Sequence, residues 1–505
     1  VGPMDVVRVA KAYLKASNRT VGYYRPDPAP DRTVVPDAPD LTALFKDYKS
    51  TMTISHAEVF DPTPANIESR LVRAKLSNGA RIVLMPKKTE AGMVTATLEL
   101  RFGDASTLAG KNAVAQIAGA LLSTGTRTKN REQLADEMRK LNARIQVSAG
   151  GGPAGGGGRG GRGGFGPTSS VNGAIANVTA PSSSFIPALR LAVEILKEPG
   201  FAPEEFERIF QTRVKALENP QTEPVQLSAE TLQRHLSPWK PGDVLYPYTR
   251  EEQLAAMKAV TLDAVKKFHA QFYGANAAVL AIVGPVDQKT VQAAAEELIG
   301  SWNTAMSYQP VAPSYHAVGP INRKIETPDK ANAQFEAGLR FKLADTDPDY
   351  AAMVLAGYMF GGPITSRVSD RIRNREGLSY GANARVTVPA EGDASLLSAT
   401  VSLNPVNGPK VEAAFLDELS KALKGGFTAK EVADAKKAFL DSRAVSRSQD
   451  AALPALLVAN EYRGRTMKWE EQVESRIQSL TPDQISVAFR RCVDAAALTI
   501  VKAGD

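Results

Sequence analysis

Few residues of this chain are placed to do chemistry on their own. The four histidines, His56, His235, His269 and His316, lie far apart, without the one-turn spacing that lets two imidazoles share a metal ion. Isolated histidines of that kind are expected as core or surface residues. Cys492 is the only cysteine, which rules out a disulfide within the chain and fits a reducing compartment without excluding the periplasm. The densest run of arginine is in SRVSDRIRNREGLSYG at Ser366–Gly381, with arginines at 367, 371, 373 and 375 and a tyrosine at 380. A guanidinium and a phenol can both donate to an oxygen that gains charge during a reaction. Beside a helix end and a strand they can equally be a cap and a packed ring, and spacing alone favours that structural role.

The composition is that of an ordinary globular protein. The 61 Lys and Arg against 54 Asp and Glu give a formal charge of +7, spread along the whole length. A dedicated nucleic-acid binder concentrates its basic residues on one face or helix, so the balance argues against a nucleic-acid partner. The longest apolar runs, such as Ala495–Val501, fall short of the about 18 residues that a membrane span needs, so no membrane partner is expected. At 505 residues there is room for about two to four domains.

The elements that must position any site show themselves through a repeat. VGPMDVVRVAKAYLKASNRTVGYY at the start, VTLDAVKKFHAQFYGANAAVLAIVG from Val260 and LTPDQISVAFRRCVDAAALTIVKAG from Leu480 share one plan. Each has a capped turn, a short amphipathic helix (Val265, Phe268, Phe272; Ile485, Phe489, Cys492), a small-polar turn and a β-rich strand. The copies lie about 220 to 260 residues apart, a domain-sized period. Each copy is expected to close one α/β domain. The chain would then hold the tail of one domain (1–26), a Pro- and Asp-rich linker (27–69) with a helix near Leu41–Tyr48, and two full domains (70–310 and 315–505). No signal peptide is visible at the start, which is expected not to be the native one.

Within the first full domain LVRAKL and ARIVLMPK flank Asn78-Gly79, which predicts a hairpin with a type I′ turn. A third strand is predicted at Met93–Arg101, helices at Asn112–Ser123 and Arg131–Leu141, a strand from Ala143, and helices from Pro187 to about Lys258. The second domain repeats the pattern: a strand at Gln334–Leu343, a helix at Asp349–Phe360, strands at Ala384–Val388 and Leu396–Leu403, then helices. Strands and helices without regular βαβ alternation predict an α+β fold, each domain a mostly antiparallel sheet packed with helices.

This order of elements, with LADEMRKLNARIQV in the first domain and FGGPITSRVSDRIRNREGLSYG in the second, resembles the pitrilysin/insulinase family of inverted zinc peptidases, from about Arg70 to Val501. The resemblance implies one half of a clamshell of four homologous domains. In the family's catalytic half, H-x-x-E-H on a helix supplies two zinc ligands and the base, and a downstream Glu supplies the third ligand. Counting back from Gly125-Thr126 sets that motif on Gln116-Ile117-Ala118-Gly119-Ala120, and the downstream ligand falls on Ala216. None of Gln116, Gly119, Ala120 and Ala216 can play those roles, so the resemblance implies no zinc in this chain and zinc in a partner half. Without the metal, water has no route to a pKa near 7.

The resemblance assigns Arg373 and Tyr380, seven apart in RNREGLSY, to the family's second-domain pair that binds substrate and stabilises the carbonyl oxygen. Arg367, Arg371 and Arg375 are expected as solvated or structural charges, and Gly361, Gly362 and Gly377 at tight turns. The implied function is the non-zinc half of a metallopeptidase, inactive alone, whose partners are a zinc-bearing half and a peptide. The alternative is a non-catalytic structural or peptide-binding subunit. Relatives of this type point to the periplasm, with the cytoplasm as the other option. The glycine-rich insertion (149–167, with GGGPAGGGGRGGRGGFGP at Gly150–Pro167) falls where the family has a short connection. It reads first as a mobile spacer, then as a flap or partner contact, and last as a nucleic-acid segment through Arg159, Arg162 and Phe165.

Overall fold

The computed structural model describes residues 2–22, 56–149 and 172–505. The chain divides into two compact units, Val1–Thr53 and Ile54–Asp505. In the first, Pro3 opens helix α1 (Pro3–Tyr13), with the Asp5 carboxylate turned back onto the Gly2 N–H. Met4, Val6, Val7, Val9, Tyr13 and Leu14 of this unit are all exposed. The helix expected over Leu41–Tyr48 and the glycine-rich tract from Gly150 on, with Arg159, Arg162 and Phe165, lie outside the described residues.

The second unit begins earlier than the expected domain start. Thr63 caps helix α2 (Pro64–Arg70), whose Ile67 is fully buried. Arg447 donates to the Pro62 carbonyl at 2.8 Å, and the Met467 N–H to Glu68 at 2.8 Å, so the end of the expected linker is built into the core. Strands β1 (Val72–Lys75) and β2 (Arg81–Pro86) then pair antiparallel. Their turn is not type I′. That turn needs positive φ at two residues, and here only Gly79 has it (φ 98°). The Leu76 carbonyl accepts from the Gly79 N–H and the Leu76 N–H donates to Ala80, a three-residue loop with a glycine bulge.

Strand β3 (Met93–Arg101) leads to helices α3 (Asn112–Leu122) and α4 (Arg131–Lys140), then strands β4 (Arg144–Ala149) and β5 (Gly173–Pro181). Helices α5 (Phe185–Lys197), α6 (Pro203–Glu218), α7 (Pro224–His235), α8 (Arg250–Lys258) and α9 (Leu262–Phe272) precede strand β6 (Val279–Gly284). The six strands order as β1-β2-β6-β3-β5-β4, with β6 parallel to β2 and every other pair antiparallel. The repeat strand thus enters the middle of its sheet, and a further helix, α10 (Gln288–Ile299), follows it.

The second domain runs the same course. A short strand β7 (Asn322–Ile325), not anticipated from sequence, is followed by β8 (Ala333–Lys342) and the buried helix α11 (Tyr350–Gly361). A single α-turn, α12 (Arg367–Ser369), runs on into a π-helical turn at Asp370–Arg375, then β9 (Gly381–Thr387) and β10 (Ala394–Leu403). Helices α13 (Gly408–Gly425), α14 (Ala429–Ser448), α15 (Leu453–Tyr462), α16 (Met467–Ser479) and α17 (Pro482–Cys492) lead to β11 (Thr499–Ala503). The order β7-β11-β8-β10-β9, with β11 parallel to β7, matches β2-β6-β3-β5-β4 strand for strand. Both are α+β layers built on mostly antiparallel sheets.

The two domains are welded by an exchange. The helix α15, from the second domain's sequence, packs Leu453, Leu457 and Val458 onto Val83, Met85, Val279, Ala281 and Val283 of the first sheet. Its counterpart α7 packs Leu232, followed by Leu236, against Val501, Ile325 and Leu396 of the second sheet. Burying each such side chain contributes roughly 1.5–3 kcal/mol, so each sheet depends on a helix of the other domain. That is why Ile54–Asp505 forms one unit.

Candidate functional site

Helix α3, carrying the positions matched to the metal motif, is built to pack. Ile117, Ala118, Leu121 and Leu122 are fully buried, and Gly119 lets the helix close on the end of β4. A Cβ at Gly119 would lie 2.3 Å from the Ala149 carbonyl oxygen, closer than any real contact. Gln116 and Ala120 are half-buried on the same helix. Ala216 is exposed near the end of α6, the helix that packs on α3. The histidines are held elsewhere. His269 is half-buried in the first domain, its Nε2–H donating to the Leu196 carbonyl at 2.8 Å, and desolvation pushes its imidazole below the usual value. His235 meets the Gly319 carbonyl at 2.7 Å, His316 lies edge-on to Trp239, and His56 lies near Glu90 at the surface. Among the described residues no group of three or more His, Cys, Asp or Glu could hold a metal ion.

The second domain presents Arg373 and Tyr380 differently. A π-helical turn stands at Asp370–Arg375, where the Glu376 N–H reaches back to the Arg371 carbonyl and the Leu378 N–H to Ile372. The matching segment of the first domain, α4, is regular α-helix, its Leu141 N–H bonded to Glu137. Such single π-turns recur at functional sites. Gly377, at φ 61°, then turns the chain into β9, as expected. Leu378 and Ser379 are buried, while Tyr380, between Ser379 and Gly381, is 93% exposed.

The neighbouring arginines are all engaged. Arg367 makes a two-pronged pair with Glu431 at 2.7 and 2.8 Å and lies over the Phe427 ring. Arg371 bridges Glu376, Asp417 and Glu418, and Arg375 pairs with Asp370. Among the described residues Arg373 has no hydrogen bond or ion pair, and it is exposed. The segment therefore spends three guanidiniums on its own fold and leaves that of Arg373, like the Tyr380 phenol, exposed to solvent. Gly361 serves a close approach in place of the expected turn, since a Cβ there would lie 2.3 Å from that of Ala384. Gly362, at φ −68°, closes helix α11 without needing glycine's freedom.

Residues 259–439, which run from α9 through the π-turn into α14, match the family described as Peptidase M16 inactive domain. The non-peptidase homolog YmxG of Helicobacter pylori is 22% identical over 303 residues, covering 58% of this chain and 66% of that protein. The chain is thus similar to the pitrilysin family, and its residues 259–439 to that family's inactive domain. The crystal structure of a peptidase M16 inactive domain from Pseudomonas fluorescens has the same fold, with a TM-score of 0.71 at 21% identity over 86% of this chain and 97% of that one. The periplasmic protease PqqL of Escherichia coli matches with a TM-score of 0.67 at 14% identity over 100% of this chain. The chain spans 50% of that protein and just under two thirds of YmxG.

Against the zinc site of the family's catalytic halves, the residues present do not fit. An amide, a glycine and two methyl side chains offer no ligand set, and at Gly119 there is no space for the side chain of a base. Along the described residues no helix is long and apolar enough to cross a membrane.

Proposed function

We propose that this chain is the non-zinc half of a zinc metallopeptidase, docking against a zinc-bearing half to enclose a chamber and presenting Arg373 and Tyr380 to the peptide. The chain carries no zinc of its own in this reading, and the metal and its water belong to the partner. Arg373 holds a backbone carbonyl, and the Tyr380 hydroxyl donates to the oxygen that gains charge as water attacks. The observation that carries the reading is that Arg373, in a π-turn whose other arginines are ion-paired, and Tyr380, just ahead of β9, are both exposed without a partner among the described residues. The periplasmic setting of the Escherichia coli neighbour supports the same compartment here. The test is reconstitution with a zinc-bearing half: Arg373→Ala and Tyr380→Phe each lower peptide turnover by about 10²-fold, the usual loss for one oxyanion donor. Full turnover by both variants in an intact complex overturns it. A second reading, a non-catalytic structural or peptide-binding subunit, is favoured by the designation of YmxG as a non-peptidase homolog. Under that reading the pair stays together and no turnover appears.

A further inference from the structure

The residues around Tyr380 can be sorted by comparing the two domains, because Leu141 stands three residues ahead of β4 as Leu378 stands three ahead of β9. In the first domain the Leu141 carbonyl accepts from the Ser184 hydroxyl at 2.6 Å, from the loop between β5 and α5. In the second, the Leu378 carbonyl accepts from the Asn407 amide at 3.2 Å, from the loop between β10 and α13. That tether is common to both domains, so it belongs to the fold. The next residues differ. The first domain has Asn142-Ala143 where the second has Ser379-Tyr380.

Ser379 makes a clamp for which its counterpart Asn142 shows no side-chain bond among the described residues. Its hydroxyl donates to the Ser402 carbonyl and accepts from the Gly381 N–H at 3.0 Å. Ser402 in turn is held by Gln334, which accepts from its hydroxyl at 2.7 Å and donates to Glu336 and Thr400 on the same sheet face. The backbone on both sides of Tyr380 is thus pinned to β10 at the point where β9 leaves the ladder, Ser402 being paired with Gly381. An exposed tyrosine without such a clamp would sample many directions and lose the aim that transition-state stabilisation requires.

We infer that Ser379 is a positioning residue for Tyr380, bridging Gly381 and Ser402 to fix the direction in which the phenol is presented. This rests on the proposed role of Tyr380. Removing the hydroxyl leaves the Leu378 tether and the core in place and frees the tyrosine's backbone.

The experiment uses the full chain reconstituted with a zinc-bearing half and a fluorogenic peptide. Ser379→Ala lowers kcat by about tenfold with KM changed less than about twofold, pairing affinity unchanged, and Ser379→Thr restores most of the rate. In the Tyr380→Phe background Ser379→Ala costs nothing further, because both act through one hydroxyl. An equal loss with and without the phenol overturns the inference, as does unchanged turnover of Ser379→Ala while Tyr380→Phe is impaired. Loss of turnover through weaker pairing or unfolding, followed by circular dichroism, also overturns it. If Tyr380→Phe itself is fully active, the proposed function fails instead, and the two failures are told apart. Should Ser379→Ala fold poorly, Ser379→Cys, which keeps nearly the same volume but replaces the hydroxyl by a weak donor and acceptor, carries the same double-variant test.

Discussion

Gly119 and Ala149 touch so closely that helix α3 can carry no side chain at that point: a Cβ would stand 2.3 Å from the Ala149 carbonyl oxygen. The metal motif is therefore lost in packing as well as in residue type. Grafting Gln116→His, Gly119→Glu and Ala120→His together is expected to lower stability by about 1–3 kcal/mol through overpacking against β4. The purified triple variant keeps no zinc after dialysis. Urea denaturation and elemental analysis check this, and a triple variant with native stability and one tightly held zinc refutes it.

Stability in acid should depend on Glu431. Burial pushes its carboxyl up, but hydrogen bonds from Arg367 and from the Thr428 N–H and hydroxyl outweigh it and lower its pKa from 4.5 to about 2. A folded pKa below the unfolded one means the stabilisation is fully present above about pH 4.5 and is lost as pH falls towards 2. Because the carboxylate is a third exposed, its contribution is discounted to about 1–2 kcal/mol. Urea midpoints between pH 5.5 and 2.5 should fall more steeply for the native chain than for Glu431→Gln. Parallel slopes for the two rule the linkage out.

Arg367 and Arg373 should separate fold from function within one segment. Arg367→Ala breaks the two-pronged pair with Glu431 and the contact with Phe427, and is expected to cost about 2 kcal/mol. Arg373→Ala and Tyr380→Phe remove no bond among the described residues, so their thermal midpoints match the native chain within the about 0.5 kcal/mol of ordinary surface changes. Calorimetry of the isolated chain decides it, and a large loss in Arg373→Ala would mean that Arg373 is structural.

Much of this was legible beforehand, and the reasons differ by residue. Strand β3 and helix α11, buried along most of their length, show as apolar runs, and helices α3 and α4 show through amphipathic spacing. The α9 and α17 helices show through repetition, with Val265, Phe268, Phe272, Ile485 and Phe489 buried as read. Short β7 did not, because its burial pattern is mostly exposed and a parallel neighbour, β11, holds it in place. The Asn78-Gly79 turn misled because asparagine tolerates positive φ without requiring it. For the site, the residue types marked Arg373 and Tyr380. Nothing in sequence marked the π-turn or Ser379, since both depend on where β9 begins relative to β10. The helix exchange was equally invisible, because α7 and α15 look like any helix that covers its own sheet.

That exchange yields the sharpest stability test. Leu457 lies in the second domain's sequence but is buried with Val83, Met85, Val279 and Val283 of the first domain's sheet. Leu457→Ala should cost about 2–5 kcal/mol, the range for emptying a leucine site in a core. Its signature is where protection is lost. In native-state hydrogen exchange β2 and β6 should open first, while β8 and β10, nearer in sequence, keep their protection. Leu232→Ala in α7 should do the reverse, loosening β8 and β11 and sparing the first sheet. Because each sheet relies on the other domain's helix, neither can unfold without uncovering its neighbour, and chemical denaturation of the native chain should show one cooperative transition for Ile54–Asp505. Two separate transitions, or loss of protection confined to the mutated domain's own sheet, would show that the helices cover their own sheets in solution.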